Sequence, residues 1–242
     1  MNAPAQKATG TTDIKTKATR NNSPKRLAEI TRLVTDKLNA HPQVQWLESP
    51  HAQLFVHQNF LNDQDCDLLI NMINAEATPS SLYSGTEREG FRTSYSCNVS
   101  AHDKDIQRIE QSICDLMGLE NSHSEILQGQ RYEVGQEFQA HHDFFHESED
   151  YWTRIEANNG GQRSWTAMAY LNEPEEGGAT AFPQLEYQVE PRKGMLLMWN
   201  NMGLDGRPNL NTIHAGMPVI KGTKYIITKW FRLNRWKGRW SQ

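Results

Sequence analysis

Gln130-Arg131-Tyr132-Glu133-Val134 begins a stretch, running on through Gly135 to His141-His142-Asp143, in which the texture of the chain changes. Upstream of about Ile126, apolar residues recur at helical spacing. Downstream they come in short runs rich in β-branched and aromatic residues, cut by Gly, Pro and Asn. These runs are Gln130–Val134, Trp165–Leu171, Tyr187–Val189, Met195–Trp199, Thr212–Val219 and Tyr225–Leu233. Short strands separated by turn signals predict an all-β sandwich or barrel in this part of the chain.

Working outward, the first part reads as helical. Ser23-Pro24 has the form of an N-cap followed by Pro at the first helical position. Leu27, Ile30, Val34 and Leu38 then follow at helical spacing, with a stop near His41-Pro42. A second helix is predicted from about Asp63 to Glu76, with Leu69, Ile70 and Ile73 inward. A third runs from about Lys104 to Met117, with Ile106, Ile109, Ile113 and Leu116 on one face and Gly118 just past its end. The fold class is therefore α+β, mainly β, with helices first and a β barrel packed against them. Residues 1–22 read as a disordered tail, 23–50 as a helix and linker, and 51–242 as the main domain.

Bulk properties narrow the function classes. The 242 residues suffice for one sizeable core. A net charge of −4 argues against a general nucleic-acid binder. The basic end, where seven Lys/Arg and no Asp or Glu follow from Lys221, reads as a strand end and tail, despite Trp236 and Trp240. Three separated cysteines, Cys66, Cys97 and Cys114, make neither a disulfide framework nor a zinc site, which fits a reducing, cytoplasmic compartment. No segment has the apolar length of a membrane helix. The N-terminus lacks the apolar core of a secretory signal; a transit peptide is the alternative to a loose tail.

His141-His142-Asp143 carries the chemistry. On a strand, His141 and Asp143 would share a face and His142 would point away. Two His and one carboxylate on one side of a metal leave three positions open, the arrangement of non-haem Fe(II) oxygen chemistry. The third ligand must come from elsewhere, and His214 is the candidate. Ten residues on, Lys224 follows the turn Lys221-Gly222-Thr223 and shares a strand face with Thr228 and Trp230. A lysine buried at the bottom of a barrel needs a carboxylate, which a bound dicarboxylate would supply. An ordinary exposed hairpin lysine is the alternative.

Taken in order, the motifs resemble the prolyl 4-hydroxylase family of 2-oxoglutarate/Fe(II)-dependent dioxygenases. The resemblance runs from about Phe55 to Arg232. It takes in Phe60-Leu61, Arg92-Thr93-Ser94, and Arg131-Tyr132-Glu133-Val134-Gly135-Gln136 leading to His141-x-Asp143-Phe144-Phe145. It continues through Gln162-Arg163, Thr166, Tyr170-Leu171-Asn172, Gly177-Gly178-Ala179-Thr180-x-Phe182-Pro183 and Lys193-Gly194. It ends with His214-x-Gly216-x-Pro218-Val219, Gly222-x-Lys224 and Thr228-Lys229-Trp230.

The resemblance implies a double-stranded β-helix (jelly-roll) core with N-terminal supporting helices. It implies hydroxylation of a peptidyl residue, proline to 4-hydroxyproline, with release of succinate and CO₂. Fe(II), 2-oxoglutarate and O₂ come with it, and ascorbate is admitted as an accessory reductant. His141, Asp143 and His214 match the iron ligands, and Lys224 the residue that pairs with the distal carboxylate of 2-oxoglutarate. Tyr132 matches a tyrosine of that pocket, with Thr180 placed nearby. Arg92, Arg163 and Trp230 match residues near the cleft for a protein or peptide substrate. Core packing for Tyr132 and Trp230, ion pairing for Arg92 and Arg163, and turn capping for Thr180 are the plainer readings.

One departure is Phe138, where the family often has a tyrosine three residues before the first iron ligand. It keeps the ring and loses the hydroxyl, which leaves the substrate open. The same chemistry on another side chain or a free amino acid is one alternative. A non-catalytic binding or sensing module and a cupin-like metal enzyme without 2-oxoglutarate are the others. Ser148–Gly161 and Asn200–Asn211 read as lids or recognition loops.

Overall fold

Three capped helices precede most of the β structure, and their ends fall where capping chemistry puts them. The computed structural model describes residues 22–81, 90–99 and 102–238. The expected tail lies outside these residues except for Asn22, as does Trp240. Helix α1 (Pro24–Ala40) begins at Ser23, whose hydroxyl accepts the Arg26 N–H, and stops before Pro42. Helix α2 (Asp63–Glu76) is capped by Asn62, which accepts the Asp65 N–H at 2.8 Å. Helix α3 (Lys104–Met117) is capped by Asp103 and ends on Gly118 at φ 71°, a conformation that disfavours other residues. Leu27, Val34, Leu38, Leu69, Ile73, Ile106, Ile109 and Ile113 are buried as their spacing predicts.

The strands begin earlier than the texture of the sequence suggests. In chain order they are β1 (Val44–Leu47), β2 (Leu54–His57), β3 (Thr78–Pro79), β4 (Tyr95–Asn98), β5 (Gln128–Tyr132) and β6 (Phe138–His141). After the short helix α4 (Asp150–Arg154) come β7 (Arg163–Tyr170), β8 (Glu176–Gly177), β9 (Thr180–Phe182), β10 (Tyr187–Val189) and β11 (Leu196–Asn200). The chain finishes with β12 (His214–Gly216), β13 (Val219–Lys221) and β14 (Lys224–Arg232). A large antiparallel sheet runs β1-β2-β11-β7-β14-β5-β4-β3, and a smaller one runs β10-β9-β12-β6. β8 and β13 form a separate short ladder.

Strand β14 shows how the layers are built. Ile227 and Phe231 face the helices and join a core with Val34, Ile73, Ile109 and Ile113. Lys229 faces the same way and ion-pairs with Glu110 of α3 at 2.7 Å. Lys224, Ile226, Thr228 and Trp230 point to the other side, into the space beneath the small sheet. There a second core forms from Leu54, Val56, Tyr132, Tyr170, Phe182 and Trp199. With both faces covered, a central strand such as Leu196-Leu197-Met198-Trp199 is buried throughout and reads as an unbroken apolar run. This is the jelly-roll core with its helices on one face.

Four expectations change. The helices do not all precede the sheet: β1 and β2 are adjacent strands of it, and the boundary at residue 50 falls between them. The expected strand Thr212–Val219 is two strands, broken at Met217-Pro218, where proline has no N–H for a ladder. Ser148–Gly161 is not a bare polar loop: Trp152 and Ala157 pack with Phe145, and buried Glu156 pairs with Arg232. Asn200–Asn211 is anchored as well, since Asn200, Asn201 and Met202 are buried and Gly206 touches α1.

Candidate metal centre

Strands β6 and β12 are antiparallel neighbours in a register that sets His141 directly opposite His214. Cross-strand neighbours stand about 5 Å apart, and here the imidazole centroids are 4.3 Å apart. β6 ends at His141, so Asp143 arrives from the turn beyond the strand rather than by alternation along it. His141 Nε2 lies 3.9 Å from Asp143 Oδ1, and His214 Nε2 lies 3.8 Å from Oδ2. One ligand atom from each of the three sits within 4.8 Å of the others. His142 turns outward to the Leu210 carbonyl at 3.1 Å.

The two histidines are oriented alike. Nδ1 of His141 bonds the Gln139 carbonyl at 2.8 Å, and Nδ1 of His214 bonds the Thr212 carbonyl at 3.0 Å. A carbonyl only accepts, so each Nδ1 carries a hydrogen and each Nε2 is the ring nitrogen that faces Asp143 and can ligate a metal. Burial, reinforced by the neighbouring His214, pushes the His141 imidazole down to about 3. Burial would raise the Asp143 carboxyl, but His214, His141 and Arg163 outweigh it and hold it below the usual range. Neutral imidazoles and an ionised carboxylate are the forms that bind a metal. This N,N,O set, converging from one side, fits Fe(II).

A pocket runs inward from the triad between the two sheets. Lys224 ends it, only 1% exposed. Its ammonium lies 5.3 Å from the Tyr132 ring and 5.5 Å from the Tyr170 ring. Among the described residues no carboxylate is within ion-pair reach of it. Burial brings Lys224 down to about 7, against the more distant pull of Glu190. Tyr132 lies opposite Lys224 on β5, and its hydroxyl donates to Gln130 Oε1 at 2.8 Å. Burial raises its phenol above the ordinary value. Thr180 also lines the pocket, accepting a hydrogen bond from Tyr170 at 2.7 Å.

The three residues matched to the peptide cleft divide. Trp230 lines the pocket. Arg163 stands behind it, its guanidinium 4.2 Å from the Trp230 ring and forked onto Glu125 at 2.6 and 2.7 Å. Arg92 likewise lies behind Phe138, 4.8 Å from that ring and bonded to Gln128 and Ser94. Phe138 stacks on the His141 imidazole at 3.6 Å. Sequence reasoning gave no role to Gln130, Met168 or Trp199, which also line the pocket. The period-two spacing of Gln130 with Tyr132 was the available signal for the first of these.

Comparison with known proteins agrees with this geometry. The sequence model of the 2OG-Fe(II) oxygenase superfamily matches residues 127–232, a span that contains the triad and Lys224. A probable prolyl 4-hydroxylase 3 of Arabidopsis thaliana is 31% identical over 219 residues, covering 80% of this chain and 74% of that protein. The chain belongs to the prolyl 4-hydroxylase family. It is thus a 2-oxoglutarate- and Fe(II)-dependent dioxygenase. A putative prolyl 4-hydroxylase of Acanthamoeba polyphaga mimivirus is 29% identical, covering 77% of this chain and 76% of its own. The viral collagen prolyl hydroxylase of Paramecium Bursaria Chlorella virus-1, solved as a complex with 2OG, superposes with a TM-score of 0.58 at 27% identity. That match covers 74% of this chain and 95% of the viral one. No helix among the described residues is long and apolar enough to cross a membrane.

Proposed function

We propose that this enzyme hydroxylates a prolyl residue of a protein or peptide at carbon 4, consuming 2-oxoglutarate and O₂ and releasing succinate and CO₂. The observation that carries the reading is a pocket with three convergent metal donors at one end and, at the other, a buried lysine with no carboxylate in reach among the described residues. A five-carbon keto diacid fits both ends. In this reading His141, Asp143 and His214 hold Fe(II), which together with the keto acid supplies the oxidising power for an unactivated C–H bond. Lys224 grips the distal carboxylate and so fixes how far the keto end reaches toward the triad. The Tyr132 hydroxyl, now turned to Gln130, can rotate to the same carboxylate. Thr180 narrows the pocket beside it. Phe138 and Trp230 form apolar walls that exclude water and receive a pyrrolidine ring. Arg92 and Arg163 stand behind these aromatics and, in this reading, hold the walls of the peptide cleft in position.

Cytoplasmic residence, supported by three free cysteines, and use of ascorbate as accessory reductant belong to the same proposal. Phe138 favours a second reading: without a hydroxyl at that position, the pocket would also take a different apolar side chain or a free amino acid. Succinate formation is measured with and without 2-oxoglutarate, for the wild type and for Lys224→Ala, while proline-containing peptides are screened for a mass gain of one oxygen atom. Succinate that depends on 2-oxoglutarate and on Lys224, with oxygen gained at proline, is expected. Oxygen gained only at other residues would select the second reading, and succinate independent of Lys224 would sink the assignment of the pocket.

A further inference from the structure

We infer that Asn201 is a positioning residue for the metal centre, acting through Thr166 on Asp143; this rests on the reading of the triad as an iron site. Thr166 Oγ1 lies 2.6 Å from Asp143 Oδ2, and Asn201 Nδ2 lies 2.9 Å from Thr166 Oγ1. Both Thr166 and Asn201 are fully buried. A hydroxyl has one proton, and an ionised carboxylate can only accept, so Thr166 donates to Asp143. Thr166 can then only accept from Asn201, which requires the amide nitrogen, not the oxygen, to face it. The polarity of the chain is therefore fixed: Asn201 N–H to Thr166, Thr166 O–H to Asp143. The bond to Oδ2 stops the carboxylate from rotating and turns it to the two Nε2 atoms.

The backbone of Asn201 is pinned to match. Its N–H donates to the Ser164 carbonyl at 2.8 Å, and its carbonyl accepts from the Asn209 N–H at 3.0 Å. Asn209 in turn accepts the Thr212 hydroxyl at 2.8 Å, and the Thr212 carbonyl orients His214. One segment, residues 201–212, thus sets two of the three ligands. That is a bracket rather than a lid, the role expected from the sequence. The buried Asn201 Oδ1 has no partner among the described residues, so packing alone gives no reason for an amide there.

The test is Mn(II) affinity of the metal-free protein, read by electron paramagnetic resonance, in wild type, Asn201→Ala, Asn201→Asp, Thr166→Val and Thr166→Ser. Loss of a hydrogen bond that orients a ligand typically weakens metal binding by about 10- to 100-fold. That loss is expected for Asn201→Ala, Asn201→Asp and Thr166→Val, with near wild-type affinity for Thr166→Ser, which keeps the hydroxyl. Thermal melts separate this from unfolding, because Thr166→Val keeps the shape and Thr166→Ser loses the methyl. A wild-type protein that binds no Mn(II) would refute the iron-site reading itself. A wild type that binds, with Asn201 variants binding equally well or Thr166→Ser failing as badly as Thr166→Val, would overturn the inference alone.

Discussion

The buried lysine yields the most quantitative expectation. Burial takes Lys224 from an ordinary value of 10.5 to about 7, because the more distant Glu190 offsets only part of the cost of desolvating the charge. A shift of that size corresponds to about 5 kcal/mol against charging the buried amine, at 1.36 kcal/mol per unit. A dicarboxylate that binds only the ammonium form meets a competent fraction that shrinks above pH 7. Its apparent Kd should then be nearly constant below about pH 6, about 2-fold weaker at pH 7, about 10-fold weaker at pH 8 and about 100-fold weaker at pH 9. Below pH 7 the folded, ligand-free protein carries a charge that the unfolded chain holds at no cost. Removing that proton relieves it, so unliganded stability rises between pH 7 and 10, opposite to the affinity. Binding of 2-oxoglutarate to the Mn(II)-loaded protein, followed by calorimetry in buffers of different ionisation heat, reads both the affinity and the proton taken up. Lys224→Met should weaken binding by roughly 10²- to 10³-fold, the scale of a broken buried ion pair, and should erase the slope between pH 7 and 9. An affinity independent of pH in the wild type, or a slope that survives in Lys224→Met, would refute the reasoning.

Other substitutions probe the walls and the frame. Phe138→Tyr places a hydroxyl at the edge of a ring stacked on His141; steady-state kinetics should show peptide KM or product identity changing while 2-oxoglutarate KM stays within about 2-fold. Lys229→Met leaves Glu110 buried without its partner and should cost about 3–5 kcal/mol in denaturant unfolding, most of it recovered in Lys229→Met/Glu110→Leu. Gly206→Ala, at φ 76° with a new Cβ 1.9 Å from the Pro24 carbonyl oxygen, should lower Tm by several degrees and loosen the segment that carries Asn201. An unchanged Tm would show that this segment does not lean on α1.

What the sequence made legible follows from the range over which each signal acts. Helix ends were readable where caps are local, as at Ser23 and Gly118; the starts near Asp63 and Lys104 came from apolar spacing, and the structure adds their caps, Asn62 and Asp103. β1 and β2 were missed because Val44–Leu47 is partly exposed and Leu54–His57 is buried on every side, so neither shows alternation. The triad was readable because its residue types are chemically restrictive, but the geometry that unites it is not local. His141 meets His214 through one ladder register, and Asp143 joins them from beyond the strand end. The residues that orient the triad were out of reach for the same reason. Nothing near Asn201 in sequence distinguishes it from Asn200, whose amide is bonded to Thr31 and Gln53 on the helical side. Only the alternation of β11, continued one residue past its end, sends Asn201 toward Thr166 and Asp143. Two adjacent asparagines thus take opposite duties, one fastening a helix to the sheet and the other aiming a ligand. The two can be told apart because substitution of Asn200 should move stability and leave Mn(II) affinity alone, while substitution of Asn201 should move the affinity.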